Sequence, residues 1–211
     1  MTNKISGYIL AKDVGEKGPI CESGKGGTIT KWLKKLFNKK GSEFECPAGT
    51  VLVGRKHCGD ENGDTYYRYG TPVFVFDEEN ASAAELIQLP ILYSNTKSSN
   101  SHKESDCDIN CDTSKHEVFT GRVHEGDENG YTAFLISQLS VKSNGKIMSI
   151  QICSESESIT INKESNGSWA EKVITLRNTD YNLLMTGFKH KGDENKSTTY
   201  TFTKYKIIIE F

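Results

Sequence analysis

One acidic, histidine-bearing segment occurs three times along the chain, and this repetition constrains the fold more than any other feature. The copies are residues 54–65 (GRKHCGDENGDT), 121–132 (GRVHEGDENGYT) and 187–198 (GFKHKGDENKST). They share the pattern G-x-x-H-x-G-D-E-N-x-x-T. The three histidines, His57, His124 and His190, lie 67 and 66 residues apart (124 − 57 and 190 − 124). Twelve positions with seven fixed, repeated at one period, mark an internal triplication. The period divides the chain into units of about 5–72, 73–139 and 140–211. No linker-like stretch separates them, so we expect one domain over 1–211.

Each copy reads as a hairpin. Before the histidine come Val51-Leu52-Val53, Val118-Phe119-Thr120 and Leu184-Met185-Thr186. After the threonine come residues 66–69, 133–136 and 199–202, again rich in aromatic and β-branched side chains. On the return strand, Tyr67 and Tyr69, Phe134 and Ile136, and Tyr200 and Phe202 fall on the same face as the motif threonine. Asn-Gly in the first two copies predicts positive φ at the turn. Further strands are expected at 8–10, 73–76, 91–93, 147–152, 173–176 and 205–209. Two short helices are conceivable, at 31–37 and 82–89. Residues 94–112 read as a mobile polar insertion.

Three units of about four short strands predict an all-β, pseudo-threefold body of the β-trefoil or β-prism kind, closed so that no sheet edge is left bare. Such closure also brings the first and last strands together.

Composition excludes several classes. The chain has 211 residues, with 26 Lys and Arg against 28 Asp and Glu, a net charge of −2 that gives no case for nucleic-acid binding. No apolar run approaches the roughly 20 residues that span a bilayer, and the first residues do not open a signal peptide. Localisation stays open. Six cysteines are too few for a disulfide scaffold, although Cys107 and Cys111 lie close enough in sequence to close a small loop. Cys21 and Cys153 sit in apolar runs and read as buried thiols.

Two readings explain the tips. In one, Gly, Asp and Asn only build the turn, and the histidine braces it. In the other, His57, Asp60, Glu61 and Asn62 line a polar pocket, as do His124, Asp127, Glu128 and Asn129, and His190, Asp193, Glu194 and Asn195. Carboxylates, amides and imidazoles suit sugar hydroxyls, and nearby Tyr66, Tyr67, Tyr131, Phe134 and Tyr200 suit the apolar side of a sugar ring. Triplication then supplies avidity. This second reading predicts a non-enzymatic, multivalent, lectin-like protein whose partners are cell-surface glycans.

No cofactor is expected. Calcium is the weaker option, because Asp60-x-Asn62-x-Asp64 places oxygen donors alternately but the other copies lose the third donor. A three-histidine metal site at the axis is a remoter one. No nucleophile elbow, phosphate loop or HExxH is present, so an enzyme is not expected. The segment 31–40 carries five lysines with Trp32 and Phe37. It reads either as a solvated lobe or, through Lys31, Trp32 and Phe37, as a peripheral membrane contact in a toxin-like or cell-surface-directed module.

Overall fold

The computed structural model describes residues 4–21, 41–60, 63–77, 91–126, 130–141, 149–193 and 195–210. The helices expected at 31–37 and 82–89, and the basic segment with Lys31, Trp32 and Phe37, lie outside the described residues. What is described is all β apart from one 3-10 turn at Thr113–Lys115. The strands are β1 (Lys4–Cys21), β2 (Gly41–Glu45), β3 (Val51–Cys58), β4 (Asp64–Phe76), β5 (Ile91–Ser98), β6 (His102–Lys103), β7 (Asp106–Asn110) and β8 (Glu117–Glu125). They continue with β9 (Tyr131–Val141), β10 (Ser149–Ile161), β11 (Ala170–Glu171), β12 (Val173–Leu176), β13 (Thr179–Asn182), β14 (Leu184–Lys191) and β15 (Thr198–Glu210).

Two antiparallel sheets result, and neither is a closed barrel. The closed body expected from the sequence is corrected on this point. One sheet runs β11-β3-β4-β1-β15-β14-β7, with β10 along the other side of β15 and β12 and β13 attached at β1. The other runs β2-β8-β9-β5, with β6 on β9. The first and last strands do meet: β1 pairs with β15 from Lys4↔Glu210 to Ile9↔Tyr205.

The motif hairpins are β3–β4, β8–β9 and β14–β15, and they share one register. Near their tips, His57 pairs with Thr65, His124 with Thr132 and His190 with Thr198. Each carries a bulge at the same place, where Val53, Thr120 and Thr186 are the extra residues just before the motif glycine. A bulge shifts which residues face inward. Beyond it, Arg55 and His57 share the face of Tyr67 and Thr65, and Lys56 points the other way.

The outer edge of each hairpin's first strand is covered by a strand from elsewhere in the chain. β2 lies on β8, β7 on β14 and β11 on β3. Gly121, Gly187 and Gly54 are each paired in this way, with Glu45, Asn110 and Glu171. β3, β8 and β14 also pack against one another. The inward aromatic residues build the core: Phe119 stacks on Phe134 at 4.2 Å, Phe44 on Tyr67 at 4.5 Å, and Phe188 meets both Phe134 and Tyr200. Burial of such side chains contributes roughly 1.5–3 kcal/mol each.

Residues 94–112 are not a mobile loop. They contain β7 and the end of β5, and Cys107, Ile109 and Cys111 are buried in the core. Cys107 and Cys111 are free thiols rather than a bridge. Cys153 is exposed on β10, against the expectation of a buried thiol, because β10 is exposed along most of its length. The side chain of Cys21 lies outside the described residues.

Candidate functional site

The sequence places His, Asp, Glu and Asn together at each hairpin tip, and the structure divides them. The three histidines point inward and are at most 4% exposed. Each Nε2 faces a backbone carbonyl of its own tip, so it carries the proton and donates. The acceptors are Asp60 O at 3.0 Å for His57, Gly126 O at 3.1 Å for His124 and Gly192 O at 3.0 Å for His190. The opposite nitrogen of His57 lies 2.9 Å from the Thr65 hydroxyl, and that of His190 lies 2.7 Å from Thr198. All three motif threonines are fully buried. The fixed His and Thr therefore form a lock under the turn.

His124 differs. Its Nδ1 lies 2.9 Å from the Glu104 carboxylate, and Thr132 donates instead to the carbonyl of Val123. At His124 the Glu104 carboxylate therefore takes the place that the motif threonine hydroxyl holds beside Nδ1 in the other two copies.

The tip backbone has its own chemistry. Gly59, Gly126 and Gly192 have φ of +98°, +88° and +100°, a left-handed conformation that glycine adopts without steric cost. Asn62 and Asn129 of the Asn-Gly turns, where positive φ was expected, lie outside the described residues. Gly63 is needed for space, since a Cβ there would sit 2.1 Å from the Cys58 carbonyl oxygen. Gly63 N donates to Asp60 O at 2.7 Å, and Lys196 N to Asp193 O at 2.8 Å. The Asp193 carboxylate also accepts from Asn195 N at 3.1 Å, capping the turn. Asp60 and Asn195 are exposed and Asp193 is half-buried. Glu61, Asn62, Asp127, Glu128, Asn129 and Glu194 lie outside the described residues.

The aromatic residues near the tips also divide. Tyr67, Phe134 and Tyr200 are core residues and present no face to solvent. Tyr131 is 44% exposed and Tyr66 is half-buried.

Beneath the tips lies a buried ionic cluster that the sequence reading did not find. Arg55 and Arg122 occupy the same motif position, and Phe188 occupies it in the third copy. All three converge: the two guanidinium groups lie 5.6 and 5.9 Å from the Phe188 ring centroid. Glu164 binds Arg55, accepts from Tyr200 Oη at 2.7 Å and from the Thr198 hydroxyl, and lies 3.3 Å from His190 Nδ1. Glu104 binds Arg122 and His124. Arg55 also donates to Tyr200 Oη at 2.8 Å, and Arg122 to Tyr67 Oη at 3.3 Å. Burial pushes the Glu104 carboxyl up, but Arg122, His124 and Arg55 hold it well below the usual carboxylate range. Burial pushes the His190 imidazole down and the Cys107 thiol up to about 12.

Glu104 and Glu164 begin short segments that bridge tips. Glu104 N donates to Gly130 O of its own tip, and Ser105 O accepts from Gly192 N of the next. Likewise Glu164 N donates to Lys196 O, and Ser165 O accepts from Gly59 N. The signal was present in the sequence as Lys103-Glu104-Ser105-Asp106 and Lys163-Glu164-Ser165-Asn166.

Among the described residues, no three His, Cys, Asp or Glu side chains come together as a metal ion would require. No helix among them is long and apolar enough to cross a membrane. No family model, curated protein or solved structure matches the chain.

Proposed function

We propose that the chain is a non-enzymatic, multivalent carbohydrate-binding protein built from three related units about a pseudo-threefold axis. The observation that carries this reading is the repeated tip, in which one register, one bulge and one buried histidine recur in three hairpins. In this reading the histidines position the tips, and ligand contact falls, among the described residues, to Asp60, Asp193 and Asn195, and by the repeat of the sequence to Asp127 and the motif Glu residues. A preformed polar tip loses little entropy on binding, and several weak tips on one body raise avidity. Among threefold plans the β-prism fits better than the trefoil. Each motif hairpin lies inside a row of four strands, namely β11-β3-β4-β1, β2-β8-β9-β5 and β7-β14-β15-β10.

Glycan-array binding tests the proposal. Signal on a defined glycan set supports it, and silence across neutral and acidic glycans removes it. Within a positive result, Asp127→Ala should weaken avidity, whereas Asp60, Asp127 and Asp193 changed together should abolish it. A second reading, in which the tips only build the fold, is favoured by the Asp193 cap and the inward histidines. Under that reading the same aspartate changes lower the melting temperature and no glycan binds. A toxin-like, surface-directed role through Lys31, Trp32 and Phe37 requires association with anionic vesicles, measured by co-sedimentation.

A further inference from the structure

The outward face of the first hairpin carries a feature that the other two hairpins lack. Lys56 lies across from Tyr66, one register step from the His57–Thr65 pair near the tip. Its Nζ is 4.2 Å from the centroid of Tyr66 and 4.8 Å from that of Trp169. Trp169 is delivered there by residues 164–169, which run along β3. Gly59 N donates to Ser165 O at 2.9 Å, Gly167 N to His57 O at 2.9 Å, and Ala170 pairs with Arg55. Ala170 is buried, so its neighbour Trp169 faces outward and is half-buried.

The charges on this face are unequal in their partners. The Arg68 guanidinium lies 4.0 Å from the Trp169 centroid, and Glu171 and Glu16 neutralise it. Among the described residues, Lys56 has ring faces as partners and no carboxylate. Cation–π contact is weak at a half-exposed site, so the ammonium keeps most of its capacity for an anion. At the equivalent pair the second hairpin has Val123 and Ala133, both buried. The third has Lys189 and Thr199, with Lys189 already paired to Asp108 at 2.8 Å.

We propose that Lys56, Tyr66 and Trp169 form a subsite beside the first tip for the carboxylate-bearing sugar of an acidic glycan. The inference rests on the glycan-binding reading of the tips and adds a ligand class to one of them. Half-buried Trp169 offers an apolar wall for the sugar ring, and Tyr66 holds the Lys56 ammonium beside it. The Lys56 ammonium meets the carboxylate in a charge-assisted hydrogen bond, partly shielded from water by the rings. Asp60 stands exposed at the neighbouring tip.

The test is calorimetric titration of the full chain with a glucuronate-bearing oligosaccharide and with its neutral glucose counterpart of the same linkage. The acidic ligand should bind about tenfold tighter, and only its binding should weaken as salt rises. Lys56→Gln should erase the preference and keep neutral binding, while Lys56→Arg should retain it. Trp169→Phe should weaken both ligands, with a thermal melt confirming that each variant is folded. Equal affinity for the two ligands, or an unchanged preference in Lys56→Gln, overturns this subsite and leaves the tip reading intact. Absence of binding to either ligand, together with a silent array, overturns both.

Discussion

Glu164 grips Arg55 inside the protein, tying the segment after β10 to the first strand of the first motif hairpin. Both side chains are at most 5% exposed, and the same carboxylate also receives Tyr200 and Thr198. Removing one member of a buried pair leaves the other charged and desolvated, which costs about 3–5 kcal/mol. We therefore expect Glu164→Gln and Arg55→Met each to lower the urea midpoint strongly. The double variant should lose less than the two single losses together, and a double-mutant cycle measures that coupling.

The His–Thr lock has a smaller and more local cost. Thr65→Val keeps the side-chain shape but removes the hydroxyl 2.9 Å from His57 Nδ1. Losing a buried hydrogen bond costs about 0.5–1.5 kcal/mol. Denaturant unfolding should show that loss, with proton exchange quickened at Gly63 and little changed on β8–β9.

Acid should unfold the protein in two stages. Burial holds the His190 imidazole below its usual 6.5, so the folded state favours the neutral ring. The stability tied to it is complete above about pH 6.5 and declines as pH falls further. Glu104 titrates well below its usual 4.5, so its contribution persists above pH 4.5 and fails only in stronger acid. Arg55, Arg122, His124 and Glu164 surround these groups, and every added proton makes the cluster more positive. Melting temperatures from pH 8 to pH 3 should fall in both windows. His190→Gln should flatten the first, and a flat native profile between pH 7 and pH 5 would contradict the assignment.

Thiol labelling should separate the cysteines. Cys153 is exposed and should react with a disulfide reagent in the native state. Cys46, Cys107 and Cys111 are buried, and burial raises their thiols above the usual value, so they should react only on unfolding.

Strands were legible in the sequence wherever alternation was strong. Tyr67, Phe134 and Tyr200 face the core as their spacing of two from the motif threonine implied. The histidines were harder. They pair directly across from those threonines, so the same alternation sends them inward, but a bulge upstream resets the count on β3, β8 and β14. Nothing in the local composition marks that bulge. Glu104 and Glu164 escaped notice because they lie in polar stretches that read as loops. Their partners, Arg55 and Arg122, stand at a motif position that is not fixed, since Phe188 takes it in the third copy. The strand exchange was beyond reach, since which distant edge β2, β7 or β11 covers depends on packing rather than on local pattern.

The exchange also governs how the chain is made. The edge of β3, completed early in synthesis, stays bare until residues 170 and 171 have left the ribosome, because β11 is its cover. Likewise β2 waits for β8, and β7 for β14. An uncovered strand edge invites pairing with another nascent chain. Synthesis in the cell must therefore carry the early hairpins past a vulnerable interval, and a premature stop before the third unit leaves a product prone to clump rather than a smaller working protein.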